Sequence, residues 1–276
     1  MATSMQSDAA LNAEEVKACC AALYESDWAR LLLGESFHPG GLALTERLGA
    51  LLCLRPDDHV LDVAAGNGSS ALRLAERFGC TVLGVDYSAA NVERANAAAH
   101  DAGLAERVRF VQGDAERLNL PELSVDALIC ECALCTFPDK RAATSEFRRV
   151  LRDGGRVGIS DVTREAALPA ELHDLLARVA CIADAQPAHE YLTLLRDAGF
   201  ADERVERHDE ALQELVGGVR TRLLGAQLLL ALGQVTPPFP AADLSKAQGL
   251  ARAAAAAIAA GQLGYALIIS AAPAAV

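Results

Sequence analysis

The sequence has no excess of positive charge, no export signal and no unbroken apolar segment that would suit a membrane. Its 276 residues carry 25 Lys and Arg against 37 Asp and Glu, a formal net charge of −12. Nucleic-acid binding needs clustered Lys and Arg, so we expect no nucleic-acid partner. The start, Met1–Ala10, lacks the basic and apolar regions of a signal peptide, and Arg252 and Gln262 interrupt the apolar stretch Gly249–Ala272. We therefore expect a cytoplasmic protein with no membrane partner.

The sequence contains eight cysteines, and no export signal is visible in it. They do not suggest a disulfide framework, because disulfides persist in oxidising compartments. We expect several of them to be free thiols. The length suits one large α/β domain, or one domain with an elaboration, and the 52% apolar content supports a core.

The most informative segment runs from His59 to Asp86. An apolar run, His59–Ala65, opens into the glycine turn Gly66-Asn67-Gly68, and a helical pattern follows. A second apolar run, Thr81–Val85, then ends at Asp86. Strand, glycine loop, helix, strand and acid together predict a βαβ unit that binds an adenosine-type cofactor.

Two carboxylates indicate which cofactor this unit would accept. Asp62 stands at the carboxyl end of the first strand, where it would repel a pyrophosphate but would suit an ammonium and a sulfonium. Asp86 follows the glycine turn by about 20 residues, where a carboxylate takes ribose hydroxyls. A Rossmann-like domain that binds another nucleotide, or none, is the alternative.

Strands and helices alternate through most of the chain, which predicts an α/β fold with a Rossmann-like, doubly wound and mostly parallel sheet. We predict an N-terminal helical cap over residues 1–54, with a helix at Ala13–Arg30. The core would comprise residues 55–208 and 264–276. A helical insertion over residues 209–263 would precede the last strand.

The region from Arg55 to Phe200 resembles the class I S-adenosylmethionine-dependent methyltransferases. Their first motif reads roughly acid-x-Gly-x-Gly-x-Gly, and Ala64 replaces the first glycine here. The resemblance implies S-adenosylmethionine as cofactor, with the methionine end, the ribose and the adenine held in turn along the loop and strand ends. The implied cofactor-binding residues are Asp62, Ala64, Gly66, Asn67, Gly68, Asp86, Tyr87, Asp114, Ala115 and Glu131.

Three cysteine segments are similar to those of the arsenite methyltransferases. They are Cys132 before Pro138-Asp139-Lys140, Cys181 in Cys181-Ile182-Ala183, and the pair Cys19-Cys20. The resemblance implies that Cys20, Cys132 and Cys181 bind trivalent arsenic as substrate, with Cys19 as the alternative to Cys20. Thiolates are the ligands that select soft metal and metalloid centres. The enzyme's task would be to align the bound arsenic with the methyl group of the cofactor. The resemblance also implies a thiol reductant as a partner and metalloid detoxification as the biological role.

Other interpretations remain open at the sequence level. Buried free cysteine behaves as a small hydrophobe, and we predict that role for Cys53 and Cys80, whereas Cys135 fits either role. Glu131 stands where the arsenite family usually has asparagine; it could contact the donor's ammonium or act as a base. An organic small-molecule methyltransferase with Glu131 or His38 as base is therefore the second hypothesis. A non-catalytic sensor of metalloid or cofactor is the third.

Overall fold

The computed structural model describes residues 12–34, 36–231 and 241–274. A seven-stranded sheet with the order β3-β2-β1-β4-β5-β7-β6 forms the centre of the molecule. The first five strands are parallel, and β7 runs antiparallel to both of its neighbours. The predicted Rossmann-like, mostly parallel sheet is confirmed. The strands are β1 His59–Val63, β2 Thr81–Asp86, β3 Val108–Gln112, β4 Val125–Glu131, β5 Leu151–Arg164, β6 Ala201–Arg207 and β7 Leu263–Ala271.

Helices cover both faces of this sheet. They are α1 Ala13–Glu25, α2 Asp27–Leu33, α3 Gly41–Leu51, α4 Ser69–Phe78, α5 Ala89–Asp101, α6 Lys140–Val150, α7 Leu175–Val179, α8 Ala188–Asp197, α9 Asp209–Ala231 and α10 Ala241–Ala259. Alternate residues of the central strands enter different cores: Val60 packs on one face and Leu61 on the other. Burial on both faces explains why these strands read as continuous apolar runs.

The N-terminal segment differs from the single predicted helix Ala13–Arg30. Ser26 has an extended backbone and ends α1, and its hydroxyl donates to the carbonyl oxygen of Leu23 at 2.6 Å. The same hydroxyl accepts the amide of Ala29 at 3.1 Å, so that Ser26 caps α2. Serine competes with the helical backbone in this way, and two short helices result.

The long helices α9 and α10 lie between β6 and β7 in the chain and pack against each other. Leu223, Leu244 and Ala251 form a small core of their own there. Among the described residues, no helix has the length and apolar character needed to cross a membrane.

The sheet brings three acidic residues to one edge. Asp62 on β1 pairs in register with Gly84 on β2 and with Ile129 on β4. Asp86 and Glu131 are the last residues of β2 and β4. Ligands of open α/β sheets bind outside the carboxyl ends of the strands, and these residues mark that place.

Candidate cofactor and acceptor site

A cavity opens at the carboxyl ends of β1, β2 and β4, under helix α1. Most of the residues predicted for the site line it. They are Cys20, Asp62, Ala64, Gly66, Asn67, Asp86, Tyr87, Asp114, Ala115, Glu131 and Cys132. Gly68, Cys19 and Cys181 are not part of its lining. A Cβ on Gly68 would lie 2.6 Å from the ring of Phe110, so this glycine serves the packing of the loop against the sheet.

The glycine loop after β1 holds a strained backbone. Ala64 has a φ of 59° and Gly66 a φ of 56°. The left-handed region costs a residue with a Cβ about 1–2 kcal/mol. The turn that usually carries glycine in this motif therefore keeps its conformation with a methyl group present.

Asp62 is a buried carboxylate with an unsatisfied oxygen. Its Oδ2 has no hydrogen-bond partner among the described residues, and the side chain is 2% exposed. Burial, and then the nearby charges of Glu131 and Asp86, raise the pKa of Asp62 well above its ordinary value. An unsatisfied carboxylate oxygen with two further acids nearby fits a ligand that brings positive charge and N–H donors, as S-adenosylmethionine would with its sulfonium and its ammonium.

Asp86 organises the loop as well as lining the cavity. Its Oδ2 accepts the amide of Gly66 at 2.7 Å, and its Oδ1 accepts the amide of Ser88 at 2.9 Å. The amide nitrogen of the Asn91 side chain lies 3.4 Å from the same Oδ1. Burial raises the pKa of Asp86, and these hydrogen bonds oppose that shift. The carboxylate thus fixes the end of β2 against the glycine loop.

Helix α1 is fastened over the cavity by a lysine that the sequence interpretation missed. The Nζ of Lys17 lies 2.8 Å from Asp114 and 2.7 Å from Glu116. Burial alone would lower the pKa of Lys17, but hydrogen bonds to both acids raise it. A second contact joins Tyr87 to the helix, because its hydroxyl donates to Glu14 at 2.9 Å. Asp114, a predicted cofactor-binding residue, and Glu116 therefore hold the covering helix.

A buried polar network meets the other end of the cavity. His38 is 6% exposed, and its Nε2 lies 3.3 Å from Thr45 Oγ1 and 3.5 Å from Glu131 Oε2. The hydroxyl of Thr45 donates to the same Oε2 at 2.9 Å. Ser160 donates to the other oxygen of Glu131 at 3.3 Å. Glu131 is thus held by side chains from α3 and β5 and paired with an imidazole.

Four thiols gather beside this cavity. The Sγ of Cys181, which is 2% exposed, lies 3.0 Å from the carbonyl oxygen of Cys132, so Cys181 sits directly behind Cys132. Hydrogen bonds from Cys132 and Cys135 lower the pKa of Cys181 well below its ordinary value. The hydrogen bond with Cys181 and burial raise the pKa of Cys132, and burial does the same for Cys135. Burial and the charge of Cys181 raise the pKa of Cys20 to about 12.

The structure separates the remaining cysteines from this group. Cys80 is fully buried, as a packing residue should be. The expectation of burial for Cys53 is wrong: it is exposed, with a φ of 51°, in the turn that follows α3. Cys135, by contrast, belongs to the thiol group; it is fully buried, and its amide donates to Asp161 at 2.9 Å. Within residues 12–34, 36–231 and 241–274, no three His, Cys, Asp or Glu side chains are grouped so that they could hold a metal ion.

Comparison with known proteins identifies the family. A family profile described as "Methyltransferase domain" matches residues 54–199, just over half of the chain. A 27-O-demethylrifamycin SV methyltransferase from Amycolatopsis mediterranei is 35% identical over 166 residues, 59% of this chain and 61% of that protein. An arsenite methyltransferase from Aquipseudomonas alcaligenes is 32% identical over 229 residues, 76% of this chain and 65% of that protein. The chain therefore covers less than two thirds of either curated relative.

Solved structures share the architecture. Phosphoethanolamine N-methyltransferase 2 from Haemonchus contortus, in complex with S-adenosyl-L-methionine, superposes with a TM-score of 0.74 at 19% identity. The superposition covers 92% of this chain and 57% of that one. At this identity the likeness shows the fold alone.

The sheet order, the glycine loop and the acids at the strand ends define a Rossmann-like domain built for an adenosine-type cofactor. With the family profile, the chain belongs to the class I S-adenosylmethionine-dependent methyltransferases. The family and the cofactor predicted from the sequence are confirmed at this level.

Proposed function

We propose that this protein uses S-adenosylmethionine to methylate trivalent arsenic that its thiolates hold beside the methyl donor. The placement of Cys181 behind Cys132 carries the proposal, with Cys20 in the lining of the same cavity. Cys20 from α1 and Cys132 from the end of β4 line the cavity, and Cys181 from the end of α7 lies behind Cys132. Soft thiolates are the ligands that select thiophilic centres. The 32% identity to an arsenite methyltransferase over 76% of the chain supports the same substrate.

The carboxylates would hold the cofactor: we propose that Asp62 accepts its ammonium and that Asp86 takes the ribose hydroxyls. When bound, the cofactor supplies a methyl group on a sulfonium, which is electrophilic without further activation. The negative charge of Asp62, Asp86 and Glu131 favours a cationic ligand over its neutral product.

The thiols would align the acceptor. Each thiol that replaces a hydroxide on arsenite gives its proton to that hydroxide, which leaves as water, so the exchange needs no separate base. Three thiolates leave the arsenic lone pair free to form the bond to carbon. Arsenic passes from the trivalent to the pentavalent state in that step, and a thiol reductant returns it to the trivalent state.

The N-terminal segment would act as the cap of this site. Lys17 and Glu14 fasten α1 to the cofactor edge, and Cys20 on the same helix faces the cavity. Closure of α1 would bring the third thiol to an acceptor already held by Cys132 and Cys181. The eight free cysteines are in keeping with a reducing compartment, and we propose a cytoplasmic location.

Methylation of arsenite by single-cysteine variants tests the proposal. The purified protein is incubated with arsenite, excess glutathione and isotopically labelled S-adenosylmethionine, and methylated arsenic is separated by chromatography. Cys132→Ser and Cys181→Ser should each lose at least about 100-fold in turnover while keeping the affinity for the donor, because a hard hydroxyl oxygen binds a soft centre poorly. The double variant should be little worse than either single one, since members of one functional unit are not additive.

Cys53→Ser is the matched control, because Cys53 is exposed and lies outside the thiol group. Its turnover should equal that of the unmodified protein. Full arsenite methylation by Cys132→Ser or Cys181→Ser would refute the metalloid proposal. Arsenite binding without any methylated product would favour a sensor instead.

A further inference from the structure

A chain of two hydroxyl groups runs through the interior of the protein and ends on Glu131. The hydroxyl of Tyr265 on β7 donates to Ser160 Oγ on β5 at 2.9 Å. Ser160 in turn donates to Oε1 of Glu131, the last residue of β4, at 3.3 Å. Tyr265 and Ser160 are fully buried and stand outside the lining of the cofactor cavity, whereas Glu131 belongs to that lining. The hydroxyl chain Tyr265–Ser160 therefore reaches the cavity only through this carboxylate.

The register of the sheet brings these three side chains together. Ser160 pairs with Glu131 on β4, and Tyr265 pairs with Val162 on β5. Residues two apart on a strand share a face, so Tyr265 reaches Ser160 along the diagonal between β7 and β5. A buried hydroxyl is costly unless it is hydrogen-bonded, and phenylalanine and alanine would fill the same places without a polar group. The polar side chains here therefore call for a role beyond packing.

The direction of the hydrogen bonds fixes the orientation of the carboxylate. Each hydroxyl has one hydrogen, so Ser160, which accepts from Tyr265, is left with its own hydrogen for Glu131 Oε1. The hydroxyl of Thr45 on α3 donates to the other oxygen, Oε2, at 2.9 Å. Among the described residues, no Lys or Arg forms an ion pair with Glu131, and its neighbour of that kind is His38 at 3.5 Å. Neutral donors thus hold the carboxylate in place without cancelling its charge.

The order of the strands relates Glu131 to the cationic end of the methyl donor. The predicted cofactor placement gives the adenine to Asp114 after β3 and the ribose to Asp86 at the end of β2. The order β3-β2-β1-β4 then continues to Asp62 and Glu131. The part of S-adenosylmethionine that remains for these two acids carries the sulfonium and the ammonium. The inference below rests on this proposed placement of the cofactor and does not depend on the identity of the methyl acceptor.

We propose that Tyr265 and Ser160 are positioning residues that hold the Glu131 carboxylate towards the sulfonium of the donor, and that they thereby set the preference of the site for S-adenosylmethionine over S-adenosylhomocysteine. The two ligands differ by the methyl group and by the positive charge on sulfur. A carboxylate held in a cavity of low dielectric distinguishes them by that charge. Loss of either hydroxyl allows Oε1 to turn away, and the preference for the charged donor falls.

Calorimetry of the full chain with each of the two ligands tests the hydroxyl chain. Ser160→Ala should raise the Kd of S-adenosylmethionine by about 5- to 10-fold, the scale of one hydrogen bond, and that of S-adenosylhomocysteine by less than about 2-fold. Tyr265→Phe should act in the same direction with a smaller change, about 2- to 5-fold for the donor. Since Tyr265 acts through Ser160, the double variant should bind the donor as Ser160→Ala does. Glu131→Gln should lose at least as much donor affinity as Ser160→Ala.

The chain offers a matched control for each change. Tyr191 is also fully buried, and its hydroxyl donates to the carbonyl oxygen of Val162 at 3.2 Å. Ser270 is buried as well, and its Oγ has no partner among the described residues. Tyr191→Phe and Ser270→Ala should leave the Kd of both ligands unchanged. Tyr265→Phe removes a single oxygen atom, so it tests the inference even if Ser160→Ala does not fold.

Three results would overturn the inference. Equal losses for the two ligands in Ser160→Ala or Tyr265→Phe would indicate a merely structural role. Unchanged affinities in both variants, with a loss of donor affinity in Glu131→Gln, would leave the role of Glu131 intact and remove the hydroxyl chain from it. Unchanged affinities in Glu131→Gln as well would remove Glu131 from the cofactor site. Arsenite methylation is not a readout here, so the arsenite proposal fails or holds independently.

Discussion

Replacement of Asp62 by asparagine should stabilise the ligand-free protein and weaken its binding of S-adenosylmethionine. Asp62 is 2% exposed, and its Oδ2 has no partner among the described residues. An unsatisfied buried acceptor costs about 1–3 kcal/mol, and more if it is charged. Asparagine removes the charge and offers an amide that Asp86 or Glu131 can accept. We therefore expect Asp62→Asn to be more stable than the unmodified protein by at least about 1–3 kcal/mol at pH 8.

The raised pKa of Asp62 determines how the stability of the protein changes with pH. Burial raises its pKa above the ordinary 3.8, so the folded protein holds this proton more tightly than the unfolded chain does. Below about pH 3.8 the Asp62 carboxyl is protonated in both the folded and the unfolded protein, so it does not lower the free energy of unfolding. The cost grows as the pH rises through the folded pKa, because stability falls wherever the folded state binds more protons. The advantage of Asp62→Asn should therefore shrink as the pH is lowered towards about 4.

The same change should weaken cofactor binding, because it removes the acceptor for the ammonium. A hydrogen bond to a charged group contributes about 1.5–3 kcal/mol, which corresponds to about 10- to 150-fold in Kd. Calorimetry gives the Kd, and urea unfolding at several pH values gives the stability. Asp101→Asn is the control, because that side chain is 84% exposed. An unchanged Kd together with an unchanged stability at pH 8 would refute the reasoning.

Three further changes probe the loop and the packing cysteines. Asp86→Ala should weaken S-adenosylmethionine binding by about 1.5–3 kcal/mol and should also lower the free energy of unfolding, because two backbone amides lose their acceptor; an unchanged Kd by calorimetry would remove Asp86 from the ribose site. Ala64→Gly should raise stability by up to about 1 kcal/mol in urea unfolding, since φ is 59° there; a loss would show that its methyl group packs. Cys80→Ser should destabilise by about 1–3 kcal/mol because the site is fully buried, whereas Cys53→Ser should stay within about 0.5 kcal/mol; equal losses would contradict the assigned environments.

The features that the sequence predicted best depend on local pattern. Apolar runs, a glycine turn and an acid about twenty residues later are typical of a βαβ unit that binds an adenosine-type cofactor, and the two acids predicted from them, Asp62 and Asp86, both line the cavity. Ser88 stands directly before α5, and serine is a preferred N-cap residue. Its hydroxyl accepts the amide of Asn91 at 2.9 Å, as expected. Such inferences need no knowledge of distant parts of the chain.

The features that the sequence did not reveal depend on contacts between distant segments. Lys17 meets Asp114 across 97 positions, and nothing in its neighbourhood on α1 distinguishes it from any surface lysine. A signal existed in part, since a basic residue on the predicted cap could have been matched to the acids after β3. Cys53 was expected to be buried because it follows an apolar helix. It lies just beyond the end of α3, where the chain turns into solvent.

Backbone strain occurs at the cavity and also away from it, where Cys53, Leu123 and Asp202 adopt positive φ as well. Ala64, Cys132 and Cys181 all adopt positive φ, at 59°, 51° and 63°, and all three lie in or directly behind the cavity. Such conformations cost about 1–3 kcal/mol each and persist where the surroundings enforce them. Glycine at Cys132 or Cys181 would relieve the strain but would also remove the thiol. If the proposed roles hold, Cys132→Gly and Cys181→Gly should therefore abolish arsenite methylation in the labelled-donor assay although the backbone is relaxed, and retained turnover in either variant would show that its thiol is not needed.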